Sequence, residues 1–162
     1  MSDQAAFNFD HEVNLFLSSC RTAGLATVDE AGRPHAANIQ FVHDEHLHLY
    51  FVSDPGSAHG RNIGCNKFTA VTIYAHDDRG QNIHGLQMHG TVQPVEDQRL
   101  WNHVWELYTG KFSFIAAMPQ FVELIQQQKF YCISPMWVRW IDNRRGLGWK
   151  YERTIIPATS TT

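Results

Sequence analysis

The chain is short of cysteine, of long apolar runs and of surplus basic charge, and each shortage removes a class of protein. Its three cysteines, Cys20, Cys65 and Cys132, are odd in number and far apart. Neither a disulfide framework nor a cysteine-based zinc site is expected from them. No stretch approaches the roughly 20 apolar residues of a membrane-spanning helix. The opening residues, Met1 to Phe7, show no basic segment followed by an apolar one, so no secretory signal is read. Net charge is -3 with histidine neutral, which gives no basic stripe for a nucleic acid. The expectation is a cytoplasmic protein with neither nucleic acid nor membrane as partner.

What is present is enough to build a core. At 43% hydrophobic and 18% charged residues, the composition is that of a globular chain rather than a disordered one. A length of 162 residues predicts one domain, over residues 1–155, with a disordered tail at 156–162. Ten histidines and five tryptophans stand out. Such aromatics suit a planar ligand, a large interface or an ordinary core.

Periodicity changes once, early in the chain. Val13, Phe16, Leu17 and Cys20 keep the i, i+3, i+4, i+7 spacing of an amphipathic helix, with Asp10 as its expected N-cap. After Gly24, short apolar runs alternate with Gly, Pro and Asp turns. Strands are predicted at 25–28, 35–43, 46–52, 68–76, 83–95, 130–141 and 148–152. The first three form an antiparallel meander, and alternation over 47–51 buries one face of the third. Gly85 and Gly90 mark bulges or bends. A short helix is expected at 58–66. A helical insert carries Leu100, Trp101, Val104, Leu107 and Tyr108, and a second helix starts near Pro119. Many strands joined by short turns predict a mostly β fold, a six- to seven-stranded antiparallel barrel with flanking helices, because closure removes exposed edges.

The segment Ser53-Asp54-Pro55-Gly56-Ser57-Ala58-His59-Gly60-Arg61-Asn62-Ile63 is the strongest candidate for chemistry. A strand ends, a glycine-containing turn follows and a helix begins. Free N–H groups at a helix start favour an anion. Ser53 and Ser57 add hydroxyl donors, and His59 and Arg61 add positive charge, the arginine as a bidentate fork. The same pattern also serves as a plain N-capping turn beside a solvated arginine.

An ordered set of motifs resembles the FMN-binding split barrel of the pyridoxamine 5'-phosphate oxidase-like superfamily. It runs through Gly24-Leu25-Ala26-Thr27-Val28, Pro34-His35-Ala36-Ala37-Asn38-Ile39 and Leu49-Tyr50-Phe51-Val52-Ser53. It continues through the 56–63 segment, Gly85-Leu86-Gln87-Met88-His89-Gly90, and Trp137 to Asn143 followed by Gly146 to Lys150. The ending resembles a little-characterised subgroup. The resemblance implies an FMN cofactor whose phosphate is held by Ser53 and Ser57, with Val52 and Asn62 flanking. His59 stands where many relatives carry a lysine or arginine, so Arg61 is expected to supply the missing charge. Ala37, Asn38 and Ile39 would run beside the flavin ring, and Gln87 would offer a polar contact. Trp149 and Lys150 would approach from the partner of a homodimer.

Three functions follow from that resemblance. The first is an FMN-dependent oxidoreductase acting on a small-molecule redox substrate, with no catalytic acid or base assigned. The second is a non-catalytic FMN binder or sensor. The third, motivated by the histidines, is haem binding or breakdown, with His59, His84 or His89 as the axial residue. The run His43-Asp44-Glu45-His46-Leu47-His48 looks like a metal cluster but spans a predicted hairpin turn, and no His-Glu-x-x-His pattern occurs, so no metal is expected. Cys65, Trp101, Trp105 and Trp137 read as packing or interface residues, and Trp149 as the better stacking candidate.

Overall fold

A computed structural model describes residues 7–75, 77 and 79–156. His76, Asp78 and the predicted tail beyond Ile156 lie outside the described residues. The elements run α1 (Phe9–Ser19), β1 (Thr22–Val28), β2 (Pro34–Gln40), β3 (Val42–His43), β4 (Leu49–Ser53), α2 (Ala58–Cys65) and β5 (Phe68–Tyr74). There follow β6 (His84–Pro94), α3 (Gln98–Lys111), α4 (Ser113–Ala116), α5 (Pro119–Gln126), β7 (Lys129–Asp142) and β8 (Lys150–Thr154). No helix among the described residues is long and apolar enough to cross a membrane.

All strands belong to one antiparallel sheet with the order β2-β1-β5-β6-β7-β4-β3, and β8 pairs with the second half of β7. The expected mostly β antiparallel barrel with flanking helices is therefore present. The count reaches eight because the predicted 35–43 strand breaks at Phe41. Its first part, β2, pairs with β1, and its second, β3, pairs with β4. The expected meander is thus replaced by a bent strand that joins the sheet's two edges. Phe41 is fully buried at the bend, and its N–H donates to the Arg21 carbonyl at 3.2 Å. Closure comes from this bend, and β8 only adds to the second half of β7.

Two apolar clusters flank the sheet. The barrel interior holds Leu25, Phe51, Leu86, Ile133, Val138 and Trp140, and α1 adds Phe9, Val13, Phe16 and Leu17. A second cluster sits outside the barrel, where Tyr50, Phe130 and Cys132 meet Val104, Tyr108, Phe112 and Ile115 of the helical insert. Both faces of β4 are therefore buried, not one. The reason is that the insert covers the face that alternation alone would leave to water.

Local differences have local causes. Asn8, not Asp10, caps α1, accepting from the His11 N–H at 3.1 Å. Asp10 instead takes a forked contact from Arg153, at 2.6 and 3.2 Å. Strand β4 starts at Leu49 because Leu47 turns with φ of 66°. Gly85 adds no bulge, whereas the pairing does shift between His89 and Gly90. There Met136 of β7 is the extra residue, and β6 presses so close that a Cβ on Gly90 would lie 2.0 Å from the Ser134 carbonyl oxygen.

Candidate functional site

The strand-to-helix segment after β4 brings three of the predicted residues together. Ser53, nearly buried at 8% exposure, closes β4 opposite Lys129. Asp54 then organises the turn, accepting from the Gly56 N–H at 2.8 Å and, through its carbonyl, from Ser57 N–H at 3.0 Å. Ser57 is the N-cap of α2, its Oγ accepting from Gly60 N–H at 3.1 Å. The turn folds back so tightly that a Cβ at Gly60 would meet the Asp54 and Pro55 carbonyl oxygens at 2.6 and 2.7 Å. In this cradle Ser53 Oγ lies 3.3 Å from Ser57 Oγ and 2.7 Å from His59 Nε2.

The chemistry of the cradle is that of a polar nest at a helix start. Ser57 accepts with a lone pair, so its own proton can go either to Ser53 Oγ or to a ligand. Partial burial pushes the His59 imidazolium down, which favours the neutral ring, a hydrogen-bonding group, over a fixed cation. The dipole of α2 adds a modest preference for negative charge.

The neighbouring predicted residues are placed differently. Arg61 donates from Nη1 to the Gly56 carbonyl, so it braces the turn while the rest of its side chain stays exposed. Asn62 is buried and donates to Thr27 Oγ1 at 3.0 Å, tying α2 to β1 rather than facing a ligand. Val52 packs half-buried against the outer cluster.

The remaining candidates sit on the sheet. Asn38 and Gln87 share one row of directly paired residues on the barrel's outer face. The row runs Asn38, Gly24, Thr72, Gln87, Arg139, Glu152 across six strands. Arg139 is central to it, reaching Gln87 Oε1 at 3.4 Å and Glu152 Oε1 at 2.8 Å, and lying 4.9 Å over the Trp137 ring. Ile39 points inward and is buried, and Ala37 is half-buried on the same side, so these two can offer a ligand only backbone groups. Strand β2 has an unpaired edge for that purpose among the described residues. The parallel row Ala36, Ala26, Ala70 ends on His89, which stacks on Trp137 at 5.2 Å.

Trp149 and Lys150 do not join the cradle. Trp149 packs against Phe7 at 5.0 Å, and Lys150 is exposed opposite Ile141. Ser53 pairs at the start of β7 and Lys150 near its end, about 40 Å of strand apart at the usual rise.

The histidine-rich turn is held by Asp44. Its carboxylate accepts from the backbone N–H of His46 and His48, from His48 Nδ1 at 2.8 Å and from Tyr50 OH at 2.9 Å. Burial alone would raise the Asp44 carboxyl, but the bonds from His48 and Tyr50 bring it down to about 2. The same contact pushes the His48 imidazolium up. Among the described residues no three His, Cys, Asp or Glu side chains converge as metal ligands.

Sequence reasoning missed Arg139, Thr72 and the His89–Trp137 stack. Strict alternation along β7 puts Trp137, Arg139 and Ile141 on one face, and that signal was available. The partners across the sheet were not, because they depend on register.

A family model described as pyridoxamine 5'-phosphate oxidase matches residues 9–141. No curated protein matches the chain in sequence. Solved structures resemble it in fold. A conserved hypothetical protein from Mycobacterium tuberculosis superposes with a TM-score of 0.71 at 21% identity, over 98% of this chain and 100% of that one. General stress protein 26 from Bacillus anthracis gives 0.66 at 18% identity, over 92% and 100%. The heme storage protein HutZ from Vibrio cholerae gives 0.66 at 21% identity, over 80% and 91%.

Proposed function

The chain belongs to the pyridoxamine 5'-phosphate oxidase family, and from that premise we propose that it binds FMN and works as a homodimeric oxidoreductase on a small-molecule redox substrate. The observation that carries this reading is the convergence of Ser53, Ser57 and His59 at the start of α2. Two hydroxyls and an imidazole within hydrogen-bond reach of one another, beside a helix N-terminus, suit a phosphate dianion. Bound flavin would supply the hydride or electron transfer, and the protein its binding and orientation. The phosphate is gripped by Ser53 and Ser57. The edge of β2, with Asn38 and Gln87, orients the ring.

A second copy is what the expected role of Trp149 and Lys150 requires. Trp149 and Lys150 lie far along β7 from the cradle of their own chain, so on this reading they serve the cradle of a partner. The outer face is suited to such a partner. It is flat where Ala26, Ala36 and Ala70 line up, and it exposes Phe68 at 56% and Tyr74 at 66%. The three free cysteines suit a reducing cytoplasm.

The test is an absorption spectrum of purified protein before and after FMN titration. Uptake with a perturbed flavin band supports the reading, and colourless protein that takes up no FMN ends it. Turnover with reduced nicotinamide separates an enzyme from a non-catalytic binder or sensor. Haem binding is a second reading, favoured by the fold likeness to a heme storage protein. The exposed His89, flat on Trp137, is then the axial candidate. A Soret shift on haem addition that His89→Ala abolishes would favour it.

A further inference from the structure

The segment that forms the cradle gives it little countercharge. His59 favours its neutral ring, and Arg61 commits Nη1 to the Gly56 carbonyl. A phosphate dianion taken into a half-buried site leaves hydration behind, and a nearby cation offsets that cost.

The register of the sheet puts such a cation beside Ser53. Lys129, the first residue of β7, pairs directly with Ser53, the last residue of β4. Residues opposite each other in an antiparallel pair place their side chains on one face, with Cβ atoms about 4.5–5.5 Å apart. The flexible four-carbon stem of a lysine covers such a gap. The neighbouring pairs fix which face this is. Two residues along, Phe51 and Tyr131 stack at 5.2 Å within the barrel interior. Between the two pairs, Val52 and Phe130 face the outer cluster. Alternation therefore returns Ser53 and Lys129 to the side of Phe51, whose ring lies 6.3 Å from that of His59.

Lys129 has no other task in the fold. It is exposed, and its ammonium takes part in no ion pair or hydrogen bond among the described residues. Asp54, the acid of the turn, accepts from the Gly56 N–H at 2.8 Å instead. We propose, on the reading of the cradle as a phosphate site, that Lys129 is its cation. The ammonium closes over a phosphate held by Ser53 and Ser57, and it sets the preference for a phosphorylated flavin over an unphosphorylated one.

Titration of the full chain with FMN, riboflavin and inorganic phosphate is the test. Lys129→Gln removes the charge at an exposed position and should leave the fold undisturbed. Its FMN affinity should fall about tenfold or more, the loss expected for a hydrogen bond to a charged group, while riboflavin affinity is unchanged. Lys129→Arg should restore most of the FMN affinity. In the parent, inorganic phosphate should move the His59 ring resonances, with a dissociation constant about tenfold higher in Lys129→Gln. Full FMN affinity in Lys129→Gln overturns the proposal, and so does an equal loss for riboflavin. If the chain takes up no FMN, the phosphate titration decides alone. A shift that weakens in Lys129→Gln upholds the cation while the flavin reading falls. No shift, or one that Lys129→Gln leaves unaltered, overturns the proposal.

Discussion

Ser57 has two jobs in the cradle, and two substitutions separate them. Its Oγ accepts from Gly60 N–H as the cap of α2, and on the proposed reading its O–H turns from Ser53 Oγ to a phosphate oxygen. Ser57→Ala removes both, and loss of such a cap costs about 1 kcal/mol of stability. Ser57→Gly also removes the hydroxyl, yet glycine at an N-cap costs only about a few tenths of a kcal/mol. A hydrogen bond to a charged group contributes about 1.5–3 kcal/mol. FMN affinity should therefore fall roughly 10- to 100-fold in both variants. Urea denaturation reads the cap, and flavin fluorescence titration reads the hydroxyl. Stability should differ between the two variants while their loss of affinity is the same. If Ser57→Gly bound FMN as tightly as the parent, the hydroxyl would be a cap and nothing more.

Other outcomes follow from neighbouring features. Asp44→Asn strips the β3–β4 turn of its charged acceptor and should cost about 2 kcal/mol by chemical denaturation. Because Asp44 raises the His48 imidazolium, the His48 share of that stabilisation is fully present below the unfolded value of 6.5 and is lost as pH rises through the folded value. In Asp44→Asn the His48 titration should move down by NMR, since burial alone lowers it, and an unmoved titration would refute the link. Gly90→Ala drives a methyl into the Ser134 carbonyl and should destabilise by about 3 kcal/mol in urea, with a neutral result refuting the close approach. Ala70→Arg puts a charge on the flat outer face, so light scattering should show a monomer and FMN binding should weaken. A dimer with unaltered affinity would move the interface elsewhere.

The sequence was most readable where one segment decides its own structure. The turn at Asp54 and the start of α2 are written in Pro55, Gly56 and Ser57, and the cradle formed there. Gly90 was readable as a bulge for the same reason, since few residues permit so close an approach. Legibility ended where distant segments choose the outcome. Arg61 looked like a phosphate fork from its spacing, but the Gly56 carbonyl, brought within reach by the fold of the turn, takes one of its donors. Asn62 looked like part of the site until the packing of α2 on β1 gave it Thr27. The outer row from Asn38 to Glu152 needs five strand registers, and none can be read from a single strand.

The bend at Phe41 couples those registers. Because one continuous strand supplies both edges of the sheet, a slip of β2 along β1 must shift β3 along β4 in step. Each slipped residue also turns side chains to the opposite face. The edge of β2 and the cradle after β4 are thus kept in phase by a single peptide unit. A chain nicked at Phe41 would lose that phase lock even if every ladder hydrogen bond re-formed.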